Sequence, residues 1–144
     1  MPESSELTTR PEIGEHAGLA DGLCAKRRPC SHDRAAVVAR FERFLAATGF
    51  QPVRLPAICV AIGVSERTLR TCCHEQLGMS PTHYVWLRRM HLAYSALLGA
   101  DPARASVTEI ATHFGFWELG RFSVEYRELF GESPSTSLHR CVRT

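Results

Sequence analysis

The chain has 144 residues, of which 44% are hydrophobic, and its formal net charge is +2 at pH 7. This length and composition allow one domain, or two very small ones, with an ordinary apolar core. Residues 33–144 carry thirteen basic and ten acidic side chains, a balance of +3 that is compatible with a nucleic-acid partner without requiring one. No apolar stretch is long enough to cross a membrane, and the first residues lack the basic-then-apolar pattern of a signal peptide. We therefore expect a cytoplasmic protein with reduced cysteines.

Residues 1–32 show no steady apolar periodicity, and we interpret them as a flexible leader or the remnant of a linker. Their basic run, Lys26 to Arg28, is expected to be a solvated cluster, with a phosphate-contacting arm as the alternative. Cys24, Cys30 and His32 offer three metal ligands, but their spacing is unlike that of structural zinc sites. We therefore predict no metal site and no other cofactor.

Three helices are predicted after this leader, and each is followed by a glycine. The first begins with Asp33 as a possible cap and ends at Gly49, the second ends at Gly63, and the third has Ser65 as its cap and ends at Gly78. In all three, apolar residues recur three or four positions apart, which is the period of a helix packed on one side. The apolar positions are Val37 or Val38, Phe41, Phe44 and Leu45 in the first helix, Leu55, Ile58, Cys59 and Ile62 in the second, and Leu69, Cys73 and Leu77 in the third.

A longer helix is predicted from Pro81 to about residue 98, with Ser80 as its cap. About 18 residues at 1.5 Å each give a rigid spacer of roughly 27 Å. An apolar stripe on one side indicates core packing, and a packed spacer would fix the separation of the elements at its two ends. The stripe consists of Trp86, Met90, Ala93 and Leu97.

Another pair of helices is predicted in the last third of the chain. Ser106 and Glu109 form a capping box at the start of the first, which Gly115 ends. The second ends before Gly131, and Ser133-Pro134 begins a final helix. A helix, a glycine-containing turn and a helix with a half-polar face are typical of a helix-turn-helix. The apolar positions are Ile110, Ala111 and Phe114 in the first helix and Phe122, Tyr126, Leu129 and Phe130 in the second.

The turn between these helices repeats an earlier part of the chain. The segment Ile58-Cys59-x2-Ile62-Gly63-Val64 matches Ile110-Ala111-x2-Phe114-Gly115-Phe116 at a displacement of 52 residues. The predicted fold class is therefore all-α, with two helix-turn-helix subdomains joined by a long linker helix and about seven helices in total. Because the turn requires the two helices to approach closely, we expect Ala111 to be buried against the helix that follows it.

The turn at Gly115, the helices on either side of it and the linker helix resemble the C-terminal signature of the AraC/XylS family of bacterial transcription regulators. The resemblance covers about residues 36–141 and leaves only the leader at 1–32 outside a DNA-binding domain at 33–144. Within that domain it implies a first helix-turn-helix at about 33–79, a linker helix at about 81–98 and a second helix-turn-helix at about 106–142. The matching positions are Ala111-x3-Gly115-Phe116, Phe122, Tyr126-Arg127, Phe130-Gly131 and Pro134, with Tyr84, Arg89, Met90, Ala93 and Leu97 in the linker helix.

The resemblance implies a protein that binds specific duplex DNA, places two recognition helices in successive major grooves and regulates transcription, with RNA polymerase as a second partner. Most family members carry a separate effector-binding or dimerisation domain, for which this chain has no room. No nucleophile–base pair, phosphate loop or carboxylate cluster indicates an enzyme. Two alternatives stay open: a non-DNA protein-interaction fragment of a larger regulator, and a DNA-repair regulator with a zinc-bound reactive cysteine, for which only Cys24 and Cys30 lie upstream.

The first recognition helix has a polar side opposite its apolar side when residues are placed at 100° steps. Arginine can pair with guanine through two hydrogen bonds, and threonine offers both a hydroxyl and a methyl group. The family's contact positions fall here on Arg67, Arg70 and Thr71. The predicted DNA-binding residues of this helix are Arg67, Thr68, Arg70, Thr71 and His74.

The second recognition helix presents a different outer face. Gly120, Val124 and Arg127 point away from its apolar side, with Arg121 beside them. Three of the four side chains at the family's contact positions cannot form hydrogen bonds, so we predict that the first unit reads sequence and the second mainly positions the protein. Those four positions are Leu119, Gly120, Ser123 and Val124. The predicted DNA-binding residues of this helix are Leu119, Gly120, Arg121, Ser123, Val124 and Arg127.

Three residues depart from the family pattern. Cys59 replaces a small alanine, which the packing should tolerate. Cys73 replaces a large aromatic residue, so a lighter first core is expected. Glu118 replaces the usual serine-type cap before the second recognition helix, where it would cap poorly and repel phosphate. We therefore expect weaker DNA binding by the second unit.

Overall fold

The fold is all-α, as predicted, in the part of the chain that the structure describes. The computed structural model describes residues 31–49 and 51–140, so the predictions for the leader, Cys24, Cys30, the side chain of His32 and the basic run lie outside it. Of the helices in these ranges, none is both long and apolar enough to span a bilayer. The seven helices of these ranges are α1 (Ser31–Thr48), α2 (Leu55–Ile62), α3 (Glu66–Leu77), α4 (Pro81–Gly99), α5 (Val107–His113), α6 (Leu119–Phe130) and α7 (Pro134–Arg140).

The helices α1, α2 and α3 enclose a first apolar core. Each contributes its predicted apolar side, because removing these side chains from water is the main term that favours packing. Cys72, which the sequence analysis does not assign to this core, is fully buried beside Cys73. The buried residues are Val37, Val38, Phe41, Leu45, Ile58, Cys59, Ile62, Leu69, Cys72 and Cys73.

The first helix begins three residues earlier than a cap at Asp33 predicts. It starts at Ser31, so Asp33 lies in its first turn and is not the cap residue. A carboxylate in the first turn interacts favourably with the positive end of the helix dipole, so it marks the beginning of a helix much as a cap does. Gly49 follows the helix as predicted and has a φ of 68°.

The helix α4 packs into both cores. It extends one residue beyond the predicted end, to Gly99. Near its beginning, Tyr84 and Val85 pack against the first core. The predicted stripe then enters a second core, where Trp86 is partly buried and Met90, Ala93 and Leu97 are fully buried. One continuous helix therefore connects the two helix-turn-helix units.

The second core lies between α4, α5, α6 and α7. Ala111 is fully buried there, as predicted, in the same cluster as Phe122 and Tyr126. The Tyr126 hydroxyl donates a hydrogen bond to Ser137 Oγ at 2.8 Å, and burial raises the pKa of Tyr126 to about 12. This hydrogen bond allows a large phenol to be fully buried without an unpaired hydroxyl.

The predicted inward position of Leu129 is wrong, because this side chain is 37% exposed. On the same helix, the ring of Phe130 turns toward α4 and stacks on Tyr94, with ring centroids 4.4 Å apart. Leu129 lies beside this contact and lines a groove together with Trp86 and Leu87 of α4. The apolar period thus identifies the helix but not the edge of its buried side.

Candidate nucleic-acid interface

The two predicted turns have the same backbone geometry. Gly63 and Gly115 have φ values of 73° and 83°, in the left-handed region that glycine adopts without strain. In each turn, the N–H of the next residue donates to the carbonyl five residues earlier, at 3.1 Å for Val64 and 2.9 Å for Phe116. The internal repeat seen in the sequence is therefore a repeat of structure.

The second turn is one residue longer than the first. Three residues separate Ile62 from the start of α3, whereas four separate the equivalent Phe114 from the start of α6. Beyond the turn, equivalent positions are therefore 53 residues apart instead of 52, so that Leu69 corresponds to Phe122 and Cys73 to Tyr126. All four side chains are buried, which supports this alignment of the recognition helices.

The polar side of α3 faces solvent. Arg70 Nη2 forms an ion pair with Glu66 Oε2 at 3.1 Å, one helical turn away. Thr68 is only partly exposed, and its Oγ1 accepts a hydrogen bond from Ser65 Oγ at 2.9 Å. Thr68 therefore takes part in the start of the helix. The other four predicted residues, which are exposed, are Arg67, Arg70, Thr71 and His74.

The outer side of α6 is less polar, as the sequence analysis indicates. Val124 is 58% exposed. Ser123 is partly buried, and its hydroxyl donates to the carbonyl of Leu119 at 2.9 Å. Arg121 Nε donates to Glu125 Oε1 at 2.8 Å. Of the residues predicted for this helix, Leu119 and Ser123 are partly buried, and Gly120, Arg121, Val124 and Arg127 are exposed.

The two recognition helices begin differently. Ser65 Oγ accepts a hydrogen bond from the backbone N–H of Thr68 at 3.1 Å, which is the expected cap of α3. At the corresponding position of α6, the side chain of Glu118 makes no capping hydrogen bond. The prediction that Glu118 caps poorly is confirmed, and the first N–H groups of α6 lack a side-chain cap.

A partly buried arginine, Arg89 of α4, packs against the second turn. The Arg89 guanidinium carbon lies 5.2 Å from the centre of the Phe116 ring, and burial lowers the pKa of Arg89. A Cβ atom added to Gly115 would lie 2.9 Å from Arg89 Nη1. Glycine is therefore favoured at this position by its φ value, and a larger residue would also require the end of the Arg89 side chain to shift.

The described cysteines are structural. Cys59, Cys72 and Cys73 are buried free thiols, and burial raises the pKa of each one, to about 11 for Cys73. A thiol with a raised pKa forms little of the reactive thiolate. Within residues 31–49 and 51–140, no group of three or more His, Cys, Asp or Glu side chains could hold a metal ion.

A family model described as a helix-turn-helix domain matches residues 58–140, which is more than half of the chain. A crystal structure of a probable AraC family transcriptional regulator from Rhodopseudomonas palustris is 31% identical, with a TM-score of 0.66, and the match covers 74% of this chain and 97% of that one. The chain belongs to the AraC/XylS family of DNA-binding transcription regulators.

Curated relatives support the same family. The probable thc operon regulatory protein of Rhodococcus erythropolis is 41% identical over 95 residues, covering 66% of this chain and 29% of the relative. The XylDLEGF operon transcriptional activator of Pseudomonas putida is 36% identical over 104 residues, covering 72% and 32%. The chain therefore spans about a third of the length of these two relatives. A regulator structure from Chromobacterium violaceum, 22% identical with a TM-score of 0.68 over 78% of this chain and 98% of that one, has the same fold.

Two residues of this AraC/XylS domain stand out that the sequence analysis does not assign to the site. Trp117 lies in the longer turn, directly before Glu118, and is 74% exposed. Glu125 binds Arg121 and, through its other oxygen, Trp86. Aligning the caps Ser65 and Glu118 as well as the turn glycines would have revealed the extra residue, and with it the exposed tryptophan. No signal in the sequence identifies the partners of Glu125, because Trp86 lies 39 positions away.

Proposed function

We propose that this chain binds specific duplex DNA by placing α3 and α6 in successive major grooves, and that it thereby regulates transcription. The observation that carries the proposal is the pair of equivalent turns, joined by one helix that packs into both cores. The 19 residues of α4 span about 28 Å, close to the roughly 34 Å between successive major grooves on one face of B-DNA.

The proposed DNA contacts are of two kinds: contacts to base edges, which read the sequence, and contacts to the DNA backbone, which position the protein. Arg67, Arg70 and Thr71 carry groups that distinguish base edges, and His74 extends the same exposed side. Thr68 contributes at the beginning of α3. On α6, Leu119 and Val124 can touch only apolar groups such as a thymine methyl, Gly120 permits close approach, and Ser123 adds a hydroxyl. Arg121 and Arg127 can reach phosphates.

The domain boundaries, the cellular location and a second partner are part of the same proposal. We take 33–144 as the DNA-binding domain, with its units at about 33–79 and 106–142, and 1–32 as a leader. The chain acts without catalysis, on DNA in the cytoplasm. RNA polymerase is the second partner, because the Pseudomonas putida relatives carry the name of transcriptional activators, and activation acts on the polymerase.

Selection from random duplexes, followed by gel retardation against competitor DNA, tests the proposal. We expect a preferred site, and an affinity that falls with salt by about 0.9 log unit per log unit for each phosphate neutralised. The matched comparison is a scrambled duplex of the same length and composition. Failure to prefer any duplex, together with a nearly flat salt dependence, would favour a protein-interaction fragment instead.

A further inference from the structure

Glu125 joins the second recognition helix to the linker helix. Its Oε1 accepts a hydrogen bond from Arg121 Nε at 2.8 Å, and its Oε2 accepts one from Trp86 Nε1 at 3.1 Å. The side chain of Glu125 is 25% exposed, whereas that of Arg121 is 72% exposed. Both carboxylate oxygens of Glu125 therefore accept a hydrogen bond, and Arg121 is bonded to Glu125 through its Nε.

This ion pair is oriented against the helix dipole. Arg121 lies in the first turn of α6, at the positive end, and Glu125 follows one turn later. In α3 the order is reversed, because Glu66 lies in the first turn and Arg70 follows. Glutamate before the cation is the more stabilising order of an ion pair in a helix. Helix stability therefore favours the pair in α3 more than the pair in α6.

The pair also changes what Arg121 offers to DNA. The hydrogen bond from Arg121 lowers the pKa of Glu125, so this carboxylate is charged at neutral pH and cancels the charge of Arg121. A cancelled charge adds little to the general attraction of phosphates, which is independent of sequence. The Nη groups of Arg121 stay free of this bond, and while Nε is bonded to Glu125 they donate best to an oxygen placed where the guanidinium then points.

We propose that Glu125 is a positioning residue that increases specificity: it holds Arg121 in one orientation and cancels its charge, so that Arg121 contributes only in the correct DNA register. The inference rests on the proposed DNA-binding function. It assigns to the second unit a share in discriminating DNA registers that its base-facing side chains do not provide.

Glu125→Gln tests the inference, because glutamine keeps the side-chain length and an acceptor for Trp86 Nε1 but removes the charge. We expect affinity for scrambled DNA to rise about two- to fivefold, the range of one exposed ion pair, and the salt slope to steepen by about one. Affinity for the preferred site should rise less. Glu128→Gln is the matched control, because it removes the same charge from an exposed position of α6. Glu128→Gln should raise the affinity for both DNAs by the same factor, and by a smaller factor than Glu125→Gln raises the affinity for scrambled DNA.

Arg121→Ala completes the test in both backgrounds. In the Glu125→Gln protein it should abolish the gain on scrambled DNA. In the wild-type protein it leaves the Glu125 carboxylate without its cation, so it should weaken scrambled DNA slightly and the preferred site clearly more. Equal effects of Arg121→Ala on both DNAs in the wild-type protein would overturn the inference. Because Arg121 is exposed, Arg121→Ala should fold, and it tests the inference even if Glu125→Gln does not fold. A preferred site with no Glu125 effect refutes only the inference; no preferred site refutes the proposed function and this inference with it.

Discussion

At the scale of single residues, Arg67 near the beginning of α3 and Arg127 near the end of α6 are both exposed, and they serve different purposes in the proposed complex. Arg67→Ala should cost about 1–3 kcal/mol on the preferred site and relax the preference at one base position. Arg127→Ala should weaken all sequences alike and lower the salt slope by about one. Site selection and salt titration with each variant measure both effects.

The exposed Arg43 of α1 provides the control for these two substitutions. Arg43→Ala removes the same charge from a helix outside the recognition pair, so it should change neither the base preference nor the salt slope appreciably. The assignment is inverted if Arg127→Ala shifts the preferred bases while Arg67→Ala leaves them unchanged.

Ala111 is the residue whose replacement should most directly damage the second unit. It is fully buried in the cluster that contains Phe122. Ala111→Glu would bury a carboxylate without a partner, and we expect the free energy of unfolding to fall by at least about 3 kcal/mol. Urea unfolding measures this loss. Ala57→Glu, at an exposed position in the first turn of α2, should change stability by no more than about 0.5 kcal/mol.

At the scale of the elements, the start of α6 is open to improvement. Glu118→Ser should supply the missing cap and raise the free energy of unfolding by about 0.5–1 kcal/mol. It also removes a negative charge near the helix end that would face phosphate in the proposed complex, so DNA affinity should rise. Glu118→Gln separates the two effects, since it removes the charge without adding a good cap. The serine variant should be more stable than the glutamine variant. If the two are equally stable, the backbone at residue 118, which has a ψ of 85°, does not orient a serine side chain for capping.

The elements were predictable where local chemistry determines them. Gly63, Gly78 and Gly131 mark helix ends because each occupies a left-handed position, and Ser106 with Glu109 marks a start through a complete capping box. Among contacts between helices, the burial of Ala111 against α6 was predictable from the turn, but others were not. The burial of Cys72 and the exposure of Leu129 depend on which neighbour packs alongside, and the Trp86–Glu125 hydrogen bond joins residues from separate helices. The predicted contact residues on both recognition helices stay predictions.

At the scale of the whole molecule, the packing of α4 into both cores fixes the distance between the recognition helices. We therefore expect a binding site whose two contacted segments are about one helical turn, roughly 10 base pairs, apart. Inserting five base pairs between them should reduce affinity to that of one unit, because the second segment then faces away. Gel retardation measures the loss.

An insertion of about ten base pairs, one full helical turn, is the informative control. It returns the second segment to the original face but moves it beyond the reach of a rigid spacer, so binding should stay weak. Recovery of affinity with this insertion would mean that the two units separate or that α4 bends.

The unequal lengths of the two turns give the bound molecule a direction. The units follow each other along one chain, present different side chains, and differ by one residue where the recognition helix begins, so neither can substitute for the other. A single copy would then bind DNA in one orientation, and its target sequence would be asymmetric. Reversing that target upstream of a gene would keep the protein bound but turn its opposite flank toward the transcription machinery.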